Sequence, residues 1–177
     1  LGSWIYIIKE LAKEKSEKIK IKTVSSVSNL IILNTLLIFL VGIIVYPLVL
    51  NLRPEFEIVN YLFPILLLIK LVSNLSSIPT SIQISSQRMG FVNSIKIILV
   101  PIEILLVLFF LNSDYGIFSL VYGELIISII YLIIIIISTK ELFKLYRFKM
   151  YKSSFIKSIK YSFSFYLVKL SNIGLSN

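Results

Sequence analysis

Residues 23–52 read TVSSVSNLIILNTLLIFLVGIIVYPLVLNL and contain no charged side chain. At about 1.5 Å of rise per residue, a helix of this length exceeds the roughly 30 Å hydrocarbon core of a bilayer. The stretch is too long for a membrane-spanning β-strand and shows no alternation of polar and apolar residues. It therefore predicts a transmembrane α-helix.

The rest of the chain repeats this pattern. Its mean hydropathy is +0.93 and 57% of its residues are hydrophobic, above the roughly 45–50% apolar content of soluble domains. We expect an all-α integral membrane protein with a multi-helix bundle. Complete spans are predicted at about residues 23–52, 58–87, 91–111 and 117–138.

Parts of two more helices flank these spans. Leu1 to Ile8 is predicted to end an earlier span and to continue into a helix rich in Lys and Glu, and a fifth span begins near Tyr161. Because the chain starts with Leu1 and ends at Asn177 within an apolar run, we expect a fragment of a longer protein.

Positive charge predicts how the spans are oriented. Fifteen of the eighteen Lys and Arg residues fall into three clusters, Lys9 to Lys22, Arg88 with Lys96, and Lys140 to Lys160. The clusters occupy alternate gaps between apolar stretches, and basic residues concentrate on the cytoplasmic side of membrane proteins. The chain is therefore expected to cross four times between its first and last clusters. Segment 139–160, which is basic and aromatic, is predicted to be a cytoplasmic linker with an amphipathic helix at the membrane surface.

Composition and motifs exclude several classes of function. The chain has no Cys and no His, which excludes thiol chemistry and the usual zinc and haem sites. No phosphate-binding glycine loop, metal-ligand cluster or catalytic constellation is present in the sequence, so no catalytic residue, metal or cofactor is predicted and the protein is not expected to be an enzyme. The net charge of +9 fits anionic membrane lipid better than nucleic acid, because the basic residues flank apolar spans.

Four ionisable residues lie within the predicted spans: Lys70, Glu103, Glu124 and Lys169. A charge near the middle of a membrane costs at least about 2.5 kcal/mol, so such residues usually face a bundle interior or a hydrated cavity. The two Glu residues are candidates for ion coupling, or for charge pairs with the two Lys residues. Lys169 could also reach the membrane interface with its long side chain.

The second span carries a polar stripe along one helical face. Its members, three or four residues apart, are Lys70, Ser73, Asn74, Ser77, Ser81, Ser85 and Arg88. One interpretation is the wall of a substrate cavity, in which Lys70 and Arg88 attract an anion such as phosphate. The other is packing between helices, because Ser and Asn commonly hydrogen-bond neighbouring membrane helices. Lys70, Ser73, Asn74, Ser77 and Arg88 are the substrate-cavity candidates.

Several short motifs occur in a familiar order. Gln83 to Met89 reads QISSQRM at the end of the second span, Gly116 and Ile117 precede the fourth, and Lys160 to Phe163 reads KYSF. In this order they resemble motifs of the polysaccharide and O-antigen flippases, in the multidrug/oligosaccharidyl-lipid/polysaccharide exporter superfamily. Ser164 stands where Pro is frequent in that family.

The resemblance implies a transporter with about twelve to fourteen helices in two pseudo-symmetric halves. Residues 1–138 would belong to the N-terminal half-bundle, 139–160 to the linker and 161–177 to the start of the C-terminal half. It implies export of lipid-linked saccharide precursors across the cytoplasmic membrane by alternating access, for cell-surface polysaccharide. The implied partners are membrane lipid, a polyprenyl-diphosphate-linked saccharide and other polysaccharide-assembly membrane proteins.

Two other functions stay open from the sequence. A multidrug or organic-cation antiporter of the related branch would use Glu103 or Glu124 as a proton or sodium site. A non-transporting structural membrane subunit would use its buried charges to pair with another helix. An exposed Lys70 would favour anion binding, whereas an unpaired Glu would favour cation binding.

Overall fold

The chain folds into α-helices joined by short turns. The structure, a computed structural model, describes residues 3–52 and 57–174, although the side chains of residues 48–52, 57–60, 141–143 and 165–174 fall outside the description. No strand occurs in these ranges. The helices are α1 (Ser3–Lys13), α2 (Glu17–Leu52), α3 (Glu57–Ser85), α4 (Met89–Asn112), α5 (Phe118–Ser138), α6 (Lys140–Leu145) and α7 (Lys152–Gly174).

Four helices are long and apolar enough to cross a membrane. They are Glu17–Pro47 within α2, Tyr61–Ser85 within α3, and the whole of α4 and α5. Their outer faces expose large apolar side chains, and Ile97 and Ile137 are each 70% exposed. Such a surface requires lipid or partner helices around it. The predicted all-α membrane fold and its four spans are therefore confirmed.

Near the N-terminus, the helix boundaries differ from the predicted ones at two places. The predicted continuous Lys/Glu-rich helix is interrupted at residues 14–16, where the Glu14 carboxylate accepts a hydrogen bond from the Ser16 N–H at 3.0 Å. α2 begins at Glu17 rather than at residue 23, with the Ser16 carbonyl accepting from the N–H groups of Ile19 and Lys20. The Lys-rich stretch is helical because Lys, Glu and Ile tolerate helical backbone well.

α3 lies at the centre of the bundle. It packs against α1, α2 and α5, while α4 packs mainly against α5, and α7 packs against α1 and α2. The basic ends of these helices meet around an apolar cluster of Tyr6, Ile7, Leu11, Val24, Val27 and Ile82. The three basic clusters predicted to share one side of the membrane thus lie at one end of the structure. The predicted outer turn around Arg53 to Glu57 falls largely outside the described residues.

In both described turns between spans, the preceding helix ends with the same hydrogen-bond pattern. After α3, Gln87 adopts a left-handed conformation with φ of 61°, and the N–H groups of Gln87 and Arg88 donate to the carbonyls of Ile84 and Gln83 at 3.0 Å each. This pair of bonds is a Schellman motif. Asp114, with φ of 63°, ends α4 in the same way. The turn between the predicted spans 58–87 and 91–111 therefore lies at residues 86–88, and Met89 already belongs to α4.

Residues 145–151, which we call the strap, cross the basic end of α2. The Ser25 hydroxyl donates to the Leu145 carbonyl at 3.3 Å and accepts from the Arg147 N–H at 2.8 Å. Ser26 makes the equivalent pair with the carbonyl and N–H of Tyr151, at 3.3 and 2.9 Å. These bonds replace the backbone pairing that a helix would supply. The helix predicted within 139–160 is therefore interrupted at residues 146–151, whereas residues 140–145 and 152–160 are helical.

A tyrosine adds a side-chain anchor to the strap. The Tyr146 hydroxyl donates to the Asn29 side-chain oxygen at 2.8 Å, and burial raises the pKa of this phenol above its ordinary value. The phenol therefore keeps its proton, and its role as a donor, throughout the physiological pH range. After the strap, α7 begins at Lys152 rather than near Tyr161, with the Tyr151 carbonyl accepting from the Phe155 N–H at 3.0 Å.

The left-handed residue in the first turn gives a stability prediction. Replacing Gln87 by Gly removes the steric cost of a side chain at positive φ and should stabilise the protein by up to about 1 kcal/mol. Thermal unfolding in detergent, followed by circular dichroism, measures the change. Ser85→Gly is the matched control, because Ser85 is helical and a helical Gly costs roughly 0.5–1 kcal/mol. If both substitutions destabilise the protein equally, the turn conformation is not as described.

The strap gives a second prediction. The double change Ser25→Ala, Ser26→Ala removes the partners of two strap N–H groups, at a cost of about 1–3 kcal/mol for each buried group left unsatisfied. Cleavage by trypsin after Arg147 or Lys149 should accelerate by about tenfold or more, because proteolysis follows the population of the opened segment. Ser94→Ala serves as the control, since that exposed hydroxyl donates only to the Gly90 carbonyl. Equal cleavage rates in the two variants would contradict the anchoring.

Candidate functional site

A cavity of about 520 Å³, with hydroxyl groups and apolar side chains in its wall, lies between α3, α4 and α5. It starts near the basic end of the bundle and reaches toward mid-membrane. Most of its polar lining consists of hydroxyl groups, with one Lys, one Glu and two large aromatic rings. The lining residues are Trp4 of α1, Ser73, Ser76, Ser77, Thr80 and Ile84 of α3, Lys96, Leu99, Val100 and Glu103 of α4, and Ile127, Ser128 and Tyr131 of α5.

Helical spacing explains how α4 contributes two charged residues to the cavity. Lys96, Val100 and Glu103 are separated by four and three residues, so they project from one face of the helix. Apolar residues of α4 next to this face, such as Leu99, pack with Ile127 and Ile135 in an apolar cluster between α4 and α5. α5 therefore forms the back of the cavity, while α3 and α4 form its sides.

A hydrogen bond and a cation–π contact connect the three helices near the basic end. The Thr80 hydroxyl lies 2.7 Å from the Ser76 carbonyl and 2.9 Å from the Tyr131 hydroxyl. A carbonyl only accepts, so the single Thr80 hydrogen goes to Ser76 and Tyr131 must donate to Thr80. The Lys96 Nζ lies 5.7 Å from the centroid of the Tyr131 ring, within the range of a cation–π interaction. This arrangement places one positive charge beside the Tyr131 ring.

The other hydroxyls on the α3 side mostly donate within their own helix. Ser76 donates to the Ser73 carbonyl at 2.8 Å, and Ser77 donates to the Asn74 carbonyl at 2.6 Å. Each hydroxyl has one hydrogen and two lone pairs. Because the hydrogens are engaged, these groups present lone pairs toward the cavity and can accept hydrogen bonds from hydroxyl or ammonium groups of a ligand.

The two charged residues of the cavity occupy different depths. Lys96 and Glu103 are two helical turns apart, which corresponds to about 10 Å along the axis. Among the described residues, Glu103 forms no salt bridge with Lys70 or Lys96. Lys96 is exposed and Glu103 is half-buried. The cavity therefore offers a cation toward the basic end and a carboxylate closer to mid-membrane.

The structure brings together three of the residues predicted from sequence. Ser73, Ser77 and Glu103 all line the cavity. Lys70 is exposed but does not line it, and Asn74 contributes only its backbone carbonyl, to Ser77.

The remaining predicted residues lie elsewhere. Arg88 is exposed in the turn before α4, and Glu124 is exposed on α5, and neither lines the cavity. Lys169 belongs to α7, and its side chain lies outside the described part of the structure. The charge pair proposed between Lys70 and either Glu103 or Glu124 does not form among the described residues.

Sequence reasoning missed several cavity residues, among them Lys96, Thr80, Tyr131 and Trp4. The stripe drawn through Lys70 and Arg88 is turned by roughly 60° from the face of α3 that lines the cavity, counting 3.6 residues per turn. In the sequence, Lys96 falls in the same basic cluster as Arg88, which predicts a position at the membrane surface. Its distance from Met89, about 10 Å at 1.5 Å per residue, was the signal that it lies inside the span.

No family model, curated protein or solved structure matches this chain.

The approach of α4 to α5 at the cavity gives a third prediction. A Cβ at Gly123 would lie 2.7 Å from the Val107 Cγ2 atom, and a β-branched side chain has little freedom to move away. Gly123→Ala should therefore destabilise the protein by about 1–3 kcal/mol. The measurement is thermal unfolding in detergent.

Two further variants control this prediction. Gly90→Ala meets nothing within 4 Å and replaces a helical Gly, so it should stabilise the protein by about 0.5–1 kcal/mol. Adding Val107→Ala to Gly123→Ala should restore part of the lost stability, because it removes the clashing methyl group. If the Gly123→Ala protein is as stable as the Gly90→Ala protein, α4 and α5 are not in close contact at Gly123.

Proposed function

We propose that this chain is part of a multi-pass exporter of the cytoplasmic membrane that translocates lipid-linked saccharide precursors for cell-surface polysaccharide. The observation that carries the proposal is the hydroxyl-rich cavity between α3, α4 and α5, with Lys96 and Tyr131 toward its basic end. Its volume of about 520 Å³ falls within the roughly 300–1,000 Å³ of small-ligand sites.

Lys96 supports the binding of a phosphate group. A lysine ammonium is a compact point charge and a common phosphate ligand. The ammonium lies over the Tyr131 ring, and a diphosphate would offer it a stronger, charge-assisted partner. Because Lys96 lies toward the basic end, a lipid headgroup that enters from the cytoplasmic leaflet would meet it early.

The remaining lining supports the binding of a saccharide. Sugar hydroxyls can donate to the lone pairs of Ser76 and Ser77 and to the Glu103 carboxylate. Trp4 and Tyr131 supply aromatic surfaces with a polar edge, on which the C–H face of a sugar ring can pack. The exposed apolar faces of the surrounding helices leave the lipid tail in contact with the bilayer while the headgroup occupies the cavity.

The proposal gives a fourth prediction, which uses Trp4 as a probe. Trp4 is the single tryptophan of the chain and lines the cavity, so its fluorescence reports occupancy. Farnesyl-diphosphate-linked N-acetylglucosamine should change this fluorescence in a saturable way, whereas farnesyl diphosphate without sugar should bind more weakly. Lys96→Gln should weaken binding by about tenfold or more, since a hydrogen bond to a charged group is worth about 1.5–3 kcal/mol.

Lys70→Gln is the matched control for Lys96→Gln. It removes the same charge from an exposed position outside the cavity, so affinity should change less than about twofold, within the usual range of a surface substitution. In the complete gene, Lys96→Gln should likewise reduce complementation of a strain that lacks its saccharide flippase. A protein that binds neither compound, and a gene that restores no surface glycan, would together overturn the proposal.

An organic-cation antiporter is the second candidate. It is favoured by Glu103, which lines the cavity without a salt bridge to a described residue, and by the lone pairs that α3 presents. Tetraphenylphosphonium should then change Trp4 fluorescence more strongly than the saccharide diphosphate. Glu103→Gln should abolish that response, whereas it should leave saccharide binding nearly unchanged because the amide still accepts a hydrogen bond. No response to either ligand would instead favour a structural subunit.

A further inference from the structure

A second cavity, separate from the first, lies at the basic end of the bundle. Its volume is about 380 Å³, and three parts of the chain that are distant in sequence converge on it. They are residues 11–20, from the end of α1 to the start of α2, the end of α3 with the residue after it, and α6. The lining residues are Leu11, Lys15, Glu17, Lys20, Ile82, Ser85, Ser86, Lys144 and Leu145.

The floor of this cavity is apolar and ordered. Leu11 is 7% exposed and Ile82 is 1% exposed, and Leu145 packs against the cluster to which both belong. Lysines on a flat surface are surrounded by water on most sides. Here the floor excludes water from one side of the lining charges, which strengthens their interaction with a ligand of opposite sign.

Two local contacts hold the lysine-bearing segments in position. The Ser16 N–H donates to the Glu14 carboxylate at 3.0 Å, which shapes the turn that carries Lys15. The Leu145 carbonyl accepts from the Ser25 hydroxyl at 3.3 Å, which holds the end of α6 beside Lys144. Lys20 projects from α2 itself. The three ammonium groups therefore come from the α1–α2 turn, α2 and α6, and hydrogen bonds join the turn and α6 to α2.

The charges of the described residues that line the cavity do not balance. Among them, Lys15, Lys20 and Lys144 oppose one carboxylate, Glu17, which leaves two positive charges. A phosphomonoester carries about −1.5 to −2 at neutral pH and three strong acceptor oxygens. Its charge therefore matches the excess, and lysine ammonium groups are effective phosphate ligands.

We infer that this cavity is an anion site for a phosphomonoester group, either the headgroup of an anionic lipid or a soluble phosphorylated compound. The site is distinct from the cavity between α3, α4 and α5, and it does not depend on the function proposed for that cavity. Its position at the end of the apolar spans places it at the level of lipid headgroups.

The test compares two pairs of charge removals in the full chain, reconstituted into phosphatidylcholine nanodiscs with or without phosphatidic acid. Native mass spectrometry counts phosphatidic acid that stays bound after release from the disc. Calorimetry with glycerol 3-phosphate, in discs without phosphatidic acid, measures binding of a soluble phosphomonoester. If phosphatidic acid is retained and glycerol 3-phosphate does not bind, the cavity is a site for lipid headgroups. If glycerol 3-phosphate binds, the cavity is a site for soluble ligands.

The variant Lys20→Gln, Lys144→Gln should weaken the observed binding by about tenfold or more. Lys18→Gln, Lys157→Gln removes the same charge from exposed lysines that do not line the cavity, and should reduce binding less than about twofold. Equal losses in the two pairs would overturn the site in favour of diffuse surface charge. Absence of binding by both phosphomonoesters to the unmodified chain would also overturn it.

Glu17→Gln provides a test that does not rely on loss of binding. Removing this carboxylate, the one that lines the cavity among the described residues, should strengthen binding by about threefold. A variant that fails to fold cannot bind more tightly. Unchanged or weaker binding by Glu17→Gln, with helix content preserved by circular dichroism, would contradict the inferred charge arrangement.

Discussion

The Gln83 amide, near the end of α3, links two transmembrane helices where they reach the basic end of the bundle. Its Nε2 donates to the Ser138 carbonyl at 2.8 Å and to the Thr139 hydroxyl at 3.1 Å, and the side chain is 1% exposed. Removing one partner of a buried hydrogen bond costs about 1–3 kcal/mol. The amide therefore sets the axial register between α3 and α5, and the Thr80–Tyr131 bond of the cavity depends on that register.

The Gln83 contact lies between two cavities that are both lined by α3. Toward mid-membrane from Gln83, the hydroxyl-bearing face of α3 lines the cavity with Lys96 and Glu103. At its end, Ser85 and Ser86 line the basic cavity with Lys144. Thr139, held by Gln83, immediately precedes α6 and so determines where Lys144 is placed. A shift of α3 along its axis would change both cavities together.

Hydrogen-bond satisfaction determines the chemistry of the deeper cavity. In a membrane no bulk water is available to pair a polar group, so serine and threonine on α3 donate to their own helix. These intrahelical hydrogen bonds cost little free energy. Because each hydroxyl hydrogen is used within the helix, the row of hydroxyls presents hydrogen-bond acceptors to the cavity. The polarity of the wall therefore follows from the bilayer environment as well as from the residue types. Lys96 and Glu103 add the only formal charges among the residues that line this cavity.

Hydropathy and charge in the sequence were sufficient to predict the all-α class, the four spans and the common end of the basic clusters, because the bilayer imposes span length and charge position on any chain. Ser73, Ser77 and Glu103 were also identified from polarity within apolar stretches. Only the tertiary structure decided which face of α3 meets α4 and α5, and hence that Lys96 lines the cavity and Lys70 does not. The rotation of α3 about its axis, which decides the face that meets α4 and α5, depends on long-range hydrogen bonds such as those of Gln83. Local sequence patterns do not encode these bonds.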